Sequence, residues 1–235
     1  MSVPISQRLK CCADMVPINA RMADIGTDHG YLGIHLLTQG LVRYVAACDL
    51  REAPLQSARR NAARYHTEEH MEFFLSDGLR EVDPDSIDTV VCAGMGGDLI
   101  IQILSQAPWL CSERYTLILQ PQTSIQDLRA WLGAHGFYEE RSELVQDGGF
   151  IYCICRVRWG QGMRLTPGQQ FVSPALLASG NSLLREYTLR LRQSLERITA
   201  GLSRAEAGAD PERLQYYRAA MAELKEMEEY YVDRS

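Results

Sequence analysis

The 235-residue sequence predicts a doubly wound α/β fold: a seven-stranded, mostly parallel sheet that ends in an antiparallel hairpin, followed by an antiparallel helical pair. Three observations carry that expectation. Short apolar runs alternate with helical patterns through residue 136, as parallel strands joined by crossover helices require. The pattern then changes to two strand-like runs on either side of "DGG", where Asp-Gly supplies the positive φ angles of a tight turn. Beyond residue 175 apolar residues recur at helical spacing.

Taken in order, "ARMADIG" is the first strand and "YLGIHLLTQG" a helix closed by Gly40. "RYVAACD" is the second strand, followed by the helix "APLQSARRNAARYH". Strands at "MEFFLSD" and "IDTVVCAG", the helix "GDLIIQILSQA", the strand "RYTLILQ" and the helix "SIQDLRAWLGAHG" complete five parallel strands. The hairpin "FYEERSELVQ" and "FIYCICRVRW" makes the last strand antiparallel. Dehydrogenase folds usually end on another parallel strand. Rossmann-like class I methyltransferase folds end on this hairpin, so the topology separates two nucleotide-binding classes. Residues 160–175, "GQGMRLTPGQQFVSPA", read as a linker rich in glycine and proline. After it, Leu176, Leu184, Tyr187, Leu191, Leu195, Ile198 and Leu202 form one helical stripe. Leu214, Tyr217, Met221, Leu224 and Tyr231 form a second, with "SRAEAGADPE" between them. The expected division is 1–159 for a nucleotide-binding domain, 160–175 for the linker and 176–235 for a helical coiled-coil domain.

An apolar content of 46% is enough for a large core. No window approaches the roughly 20 apolar residues of a membrane span, and the amino terminus lacks a secretory pattern, so a cytoplasmic protein is expected. The seven cysteines form no C-x-x-C pair and have no histidine at ligand spacing; they read as reduced core thiols, with no metal expected. The net charge of −6 does not exclude nucleic acid, because binding follows a local patch. Residues 1–66 are net basic, and nearly all cations of the chain are arginine, whose planar fork suits phosphate.

Four features fall at successive strand ends, where open α/β sheets bind ligands. Asp24, Gly26 and Gly30 form D-x-G-x-x-x-G, with Asp28 where a second glycine is usual. Asp49 follows Gly26 by 23 residues, at the place for a carboxylate that accepts ribose hydroxyls. "SDG" places Asp77 and Gly78 at the third strand end, and "AGMGG" places Ala93, Gly94 and Met95 at the fourth. This register points to an adenosyl ligand. The hairpin and the lack of a true G-x-G-x-x-G favour S-adenosylmethionine over a dinucleotide. Asp28 is open to three readings, a substrate-facing charge, a cofactor contact or a helix cap. His29 and Tyr31 are likewise divided between ligand contact and packing.

The strings "RLKCCADMVPINARMADIGTDHGYLGIHLL", "AGMGGDLI", "LILQPQ", "LRAWL" and "DGGFIYCI" resemble the bacterial tRNA adenine-22 methyltransferases of the TrmK family. The resemblance runs from about Gln7 to Trp159; the helical pair fits by pattern only. It implies a class I methyltransferase domain with a small coiled-coil domain, and methylation of ring nitrogen 1 of adenine 22 in tRNA from S-adenosylmethionine. The alternatives are another RNA, a small molecule, or a non-catalytic RNA-binding protein that keeps the cofactor pocket. The implied site has Asp28, Gly94 and Met95 at the chemistry, and Arg8, Asp24, Gly26, Thr27, His29, Gly30, Tyr31, Asp49, Leu50, Asp77, Gly78 and Ala93 around the cofactor. Gln120, Pro121, Gln122, Arg59, Arg60, Arg185 and Arg192 face the substrate. The partner implied is tRNA, with no membrane; the resemblance leaves the oligomeric state open, and a monomer is the expectation. The family commonly has alanine at Gly30, proline at Gly33 and asparagine at Gln122; the last touches the substrate side.

Overall fold

A computed structural model describes residues 2–204 and 211–232, except for the side chains of 230–232. The parallel strands are β1 (Ala20–Ile25), β2 (Val42–Asp49), β3 (Met71–Leu75), β4 (Thr89–Met95) and β5 (Thr116–Pro121). The hairpin is β6 (Phe137–Asp147) and β7 (Phe150–Trp159). Spatial order is β3-β2-β1-β4-β5-β7-β6, and β7 runs antiparallel to both β5 and β6. The mixed seven-stranded sheet is the one expected. Asp147 pairs with Phe150, so the turn itself is Gly148-Gly149, both at positive φ (57° and 83°). The Asp-Gly step therefore closes the strand rather than making the turn.

Alternate strand residues feed opposite faces. Met22, Val45, Val91 and Ile118 pack with α1 (Gln7–Ala13), α2 (Tyr31–Thr38) and α3 (Glu52–Arg64). Ala23, Ala46, Val90 and Leu117 pack with α4 (Gly97–Ser105) and α5 (Ile125–Ala134). With both faces covered, the central strands are apolar almost throughout, as buried parallel strands are.

The stretch 160–175 departs from its reading as a plain linker. It contains α6 (Pro167–Phe171) and the start of α7 (Pro174–Ala178). Thr166 and Ser173 cap them, each followed by proline in the first turn, where the missing N–H costs nothing. Phe171, Val172 and Ser173 are buried. Leu176 belongs to α7, and the long helix α8 begins only at Leu184 (Leu184–Arg204), pairing with α9 (Pro211–Val232). Residues 205–210 and the Tyr231 side chain, which the expected pair also used, lie outside the described residues.

This segment is held by a buried ion pair. The Arg129 guanidinium donates to Glu139 Oε1 (2.6 Å) and to the Phe171 carbonyl (2.6 Å), while Glu139 Oε2 accepts from Ser142 (2.6 Å) and Ser173. Burial pushes the Glu139 carboxyl up, but the Arg129 charge together with the hydrogen bonds from Arg129, Ser142 and Ser173 holds it below the usual carboxylate range. Tyr187, Leu195, Tyr217 and Leu224 share the core of the α4 and α5 face. The helical pair is seated on the sheet, not held away from it. Among the described residues no helix is long and apolar enough to cross a membrane.

Candidate active site

The strand order reverses between β1 and β4, and the crevice at their carboxyl ends is the ligand position of such sheets. The loop from β1 to α2 is built from left-handed turns: Gly26 (φ 72°), Asp28 (φ 52°) and Gly30 (φ 73°). Gly26 and Thr27 N–H groups donate to the Cys48 carbonyl (2.9 and 3.0 Å), and Gly30 N–H to the Thr27 carbonyl (2.9 Å). From α3, the Asn61 amide holds the His29 carbonyl (2.9 Å). Asn61 is a positioning residue with no local motif to announce it.

Asp28 is not the helix cap. Gly30 occupies the N-cap of α2 and makes no side-chain capping bond. Asp28 instead takes the backbone conformation of the glycine it replaces, one that aspartate tolerates better than most residues. Its carboxylate is 67% exposed and lies 3.6 Å from His29 Nε2. The His29 and Tyr31 rings are tilted neighbours at 5.7 Å.

Two carboxylates end adjacent strands. Asp24 is buried and accepts from Thr27 Oγ1 at 2.8 Å. Burial pushes its pKa up to about 6, against the Thr27 bond that lowers it, and the nearby Asp49 charge adds to the rise. Asp49 is buried and spends one oxygen on the Arg51 N–H (3.0 Å). Leu50, next to it, is 69% exposed. Asp77 pairs with Arg80 at 3.4 Å, and Gly78 turns the chain at φ 65°. An acidic pair with an exposed apolar side chain fits a cationic adenosyl ligand: a carboxylate for hydroxyls, a buried charge for a cation, an apolar face for a base.

At the β4 end, Gly94 falls at a register shift between Ala93 and Met95. Its N–H donates to Gln120 Oε1 (2.9 Å), which also accepts from Arg8 Nη1 (2.6 Å). Gln120 is fully buried. It acts on this strand end as a brace, its Nε2 donating to the Pro121 carbonyl at 3.0 Å. Arg8 lies close over Gly94 and faces the Tyr152 ring at 5.7 Å. The Met95 carbonyl accepts the Gln122 N–H (2.9 Å), tying Pro121 and Gln122 to the same corner. Asp24, Gly26, Thr27, Asp49, Ala93, Gly94 and Met95 thus converge at one end of three neighbouring strands.

The expected substrate-side arginines are dispersed. Arg59 stacks on Phe73 at 4.6 Å near the β3 edge, and Arg60 bonds Ser57. Arg185 is exposed on α8. Arg192 is engaged by Glu228 and Glu196 and has least freedom for a phosphate. Of the seven cysteines, Cys12, Cys48, Cys92, Cys153 and Cys155 are buried and Cys111 is exposed. Burial pushes Cys12 and Cys92 up to about 12.

A methyltransferase domain family model matches residues 5–155. The chain is 29% identical to the tRNA (adenine(22)-N(1))-methyltransferase of Bacillus subtilis, over 97% of both chains. The crystal structure of the B. subtilis M1A22 tRNA methyltransferase TrmK superposes with a TM-score of 0.86 at 25% identity, covering 97% of this chain and all of that one (100%). Streptococcus pneumoniae Sp1610, solved in complex with S-adenosyl-L-methionine, gives 0.81 at 29% identity, with 96% and 100% covered. The match spans more than half of the sequence, and the relatives are similar over nearly the whole chain: the chain belongs to the methyltransferase domain family, on its TrmK branch.

Proposed function

We propose that this chain is an S-adenosylmethionine-dependent enzyme that methylates ring nitrogen 1 of adenine 22 in tRNA. The observation that carries the reading is the convergence of Asp24, Asp49 and the Asp28 loop on the β1–β4 crevice, in a chain similar over nearly its whole length to an enzyme of that name. When bound, the cofactor supplies an electrophilic methyl group on a sulfonium.

The residues have separable tasks. Asp49 keeps one oxygen for ribose hydroxyls while Arg51 N–H fixes the other. Leu50 offers an apolar face to the adenine ring, and Asp77 a carboxylate to its amino group. Ionised Asp24 answers the ligand's positive charge. Neutral adenine already carries a lone pair on ring nitrogen 1, so no strong base is required and positioning supplies much of the acceleration. The methylated ring is cationic. Asp28, exposed at the loop apex, stabilises the charge that develops in the transition state. The Gly94 and Met95 carbonyls orient the target's amino hydrogens. Residues 1–159 carry this chemistry, 176–235 contribute to holding tRNA, and Arg59, Arg60 and Arg185 contact phosphates. A cytoplasmic location follows from the substrate.

The test is incubation of purified protein and labelled cofactor with unmodified tRNA, with the modified base mapped by reverse-transcription arrest and mass spectrometry. Arrest at adenine 22 is expected. Cofactor binding without incorporation into any tRNA would overturn the reading.

A further inference from the structure

A groove of about 380 Å³ opens beside the β5 end of the active site, between the hairpin and α8. That is within the range, roughly 300–1,000 Å³, of pockets that hold small ligands. Its walls include Gln122, Gln126, Phe150, Tyr152, Leu191 and Ile198. Phe150 is 64% exposed at the hairpin tip and forms a tilted pair with Tyr152 at 6.2 Å. The groove is continuous with the chemistry, because Gln122 N–H bonds the Met95 carbonyl and the Gly97 N–H bonds that of Thr123 (both 2.9 Å). Along α8, Arg190, Arg197 and Arg204 are exposed at seven-residue steps, which places them on one helical face roughly 10 Å apart. Arg190 pairs with Glu186 (2.5 Å) and reaches the Gly149 carbonyl in the hairpin turn (3.4 Å). Arg197 donates to Gln193 of its own helix (3.2 Å).

We infer that this groove receives a second, unstacked base of the bound tRNA, from a nucleotide adjoining the target, while the arginine row follows the phosphates. The inference rests on the tRNA reading above. An aromatic face beside amide side chains suits a nucleobase, which presents a π surface and a hydrogen-bonding edge. An apolar protein segment would cover the exposed Gln122 amide with no hydrogen bond in return, and it would gain nothing from a row of cations. Drawing a flanking base out of the stack also exposes the target, since a base taken from a folded RNA loses its neighbours first.

The experiment compares wild type with Phe150→Ala, Phe150→Tyr and Arg197→Ala, measuring tRNA affinity, cofactor affinity and methylation. Loss of a base-stacking ring weakens tRNA binding by about tenfold, so Phe150→Ala should lose that factor with cofactor affinity unchanged. Phe150→Tyr should stay within about twofold of wild type. Arg197→Ala should lower the salt slope of tRNA binding by about one. A 2-aminopurine placed beside the target should be quenched on wild type and brighter on Phe150→Ala. If Phe150→Ala binds and methylates tRNA like wild type, the groove assignment falls and the enzyme reading stands. The assignment also falls if Phe150→Ala loses cofactor affinity, or if it abolishes a dimer while tRNA affinity is unchanged. If wild type itself neither binds nor methylates tRNA, the enzyme reading falls with it.

Discussion

Asp28 combines a charge at the loop apex with a backbone angle suited to glycine. Strain of this kind persists where surrounding structure and function require it. Asp28→Gly should therefore raise thermal stability by about 1 kcal/mol while turnover falls, and Asp28→Asn should lower kcat with little change in melting temperature. Equal turnover in Asp28→Asn would remove the charge from the mechanism. Asp24 makes a second prediction. Its folded pKa of about 6 is raised mainly by burial, so between about pH 4 and pH 6 the native state keeps a proton that the unfolded chain has released. Stability is then lost as pH rises through that window, by an amount on the order of 2–3 kcal/mol. Cofactor affinity should move the opposite way, rising as the carboxylate ionises. Asp24→Asn should flatten both dependences, read by denaturant titration and calorimetry across that range. These acids were legible in the sequence because they sit at strand ends in fixed register. The conformation of Asp28 was not, since a loop dihedral depends on what holds the loop, here Asn61 from another helix.

At the scale of elements, the strands and crossover helices could be read because the sheet faces impose local periodicity. The short helices within 160–175 are not legible in the sequence for a physical reason. Their two Ser/Thr-Pro starts were present in "LTPGQQ" and "VSPALL", but helices of five residues do not stand alone and exist here through tertiary contacts. Arg129 and Glu139 provide those contacts, with both side chains almost wholly buried. Arg129→Met alone should destabilise the fold by about 3–5 kcal/mol, because Glu139 is left as an uncompensated buried charge. Arg129→Met combined with Glu139→Leu should recover most of that loss, and chemical denaturation of the three variants measures it. Recovery failing in the double variant would mean that the backbone bonds to Phe171 and Gln170, not the charge pair, carry the stability.

Across the whole molecule, the core runs without a break from β1 through Leu224 in α9. The full chain should unfold in a single cooperative transition, with near-UV and far-UV signals coincident. A chain truncated after Trp159 should aggregate rather than simply lose tRNA, because Phe137, Leu144 and Cys153 would lose their cover. Two separated transitions in the full chain would show instead that the helical pair folds alone. The α8 helix is 21 residues long, roughly 30 Å. Its entry is pinned by Asn181 to the Leu144 carbonyl (2.9 Å), and its second turn meets the hairpin at Gly149. With its root clamped at two points of the β6–β7 hairpin, α8 is a ruler whose zero mark is set by that hairpin. An enzyme built this way can select a nucleotide by its offset from a feature gripped elsewhere on the RNA, so inserting residues into α8 should shift or blur the position modified without altering the chemistry performed there.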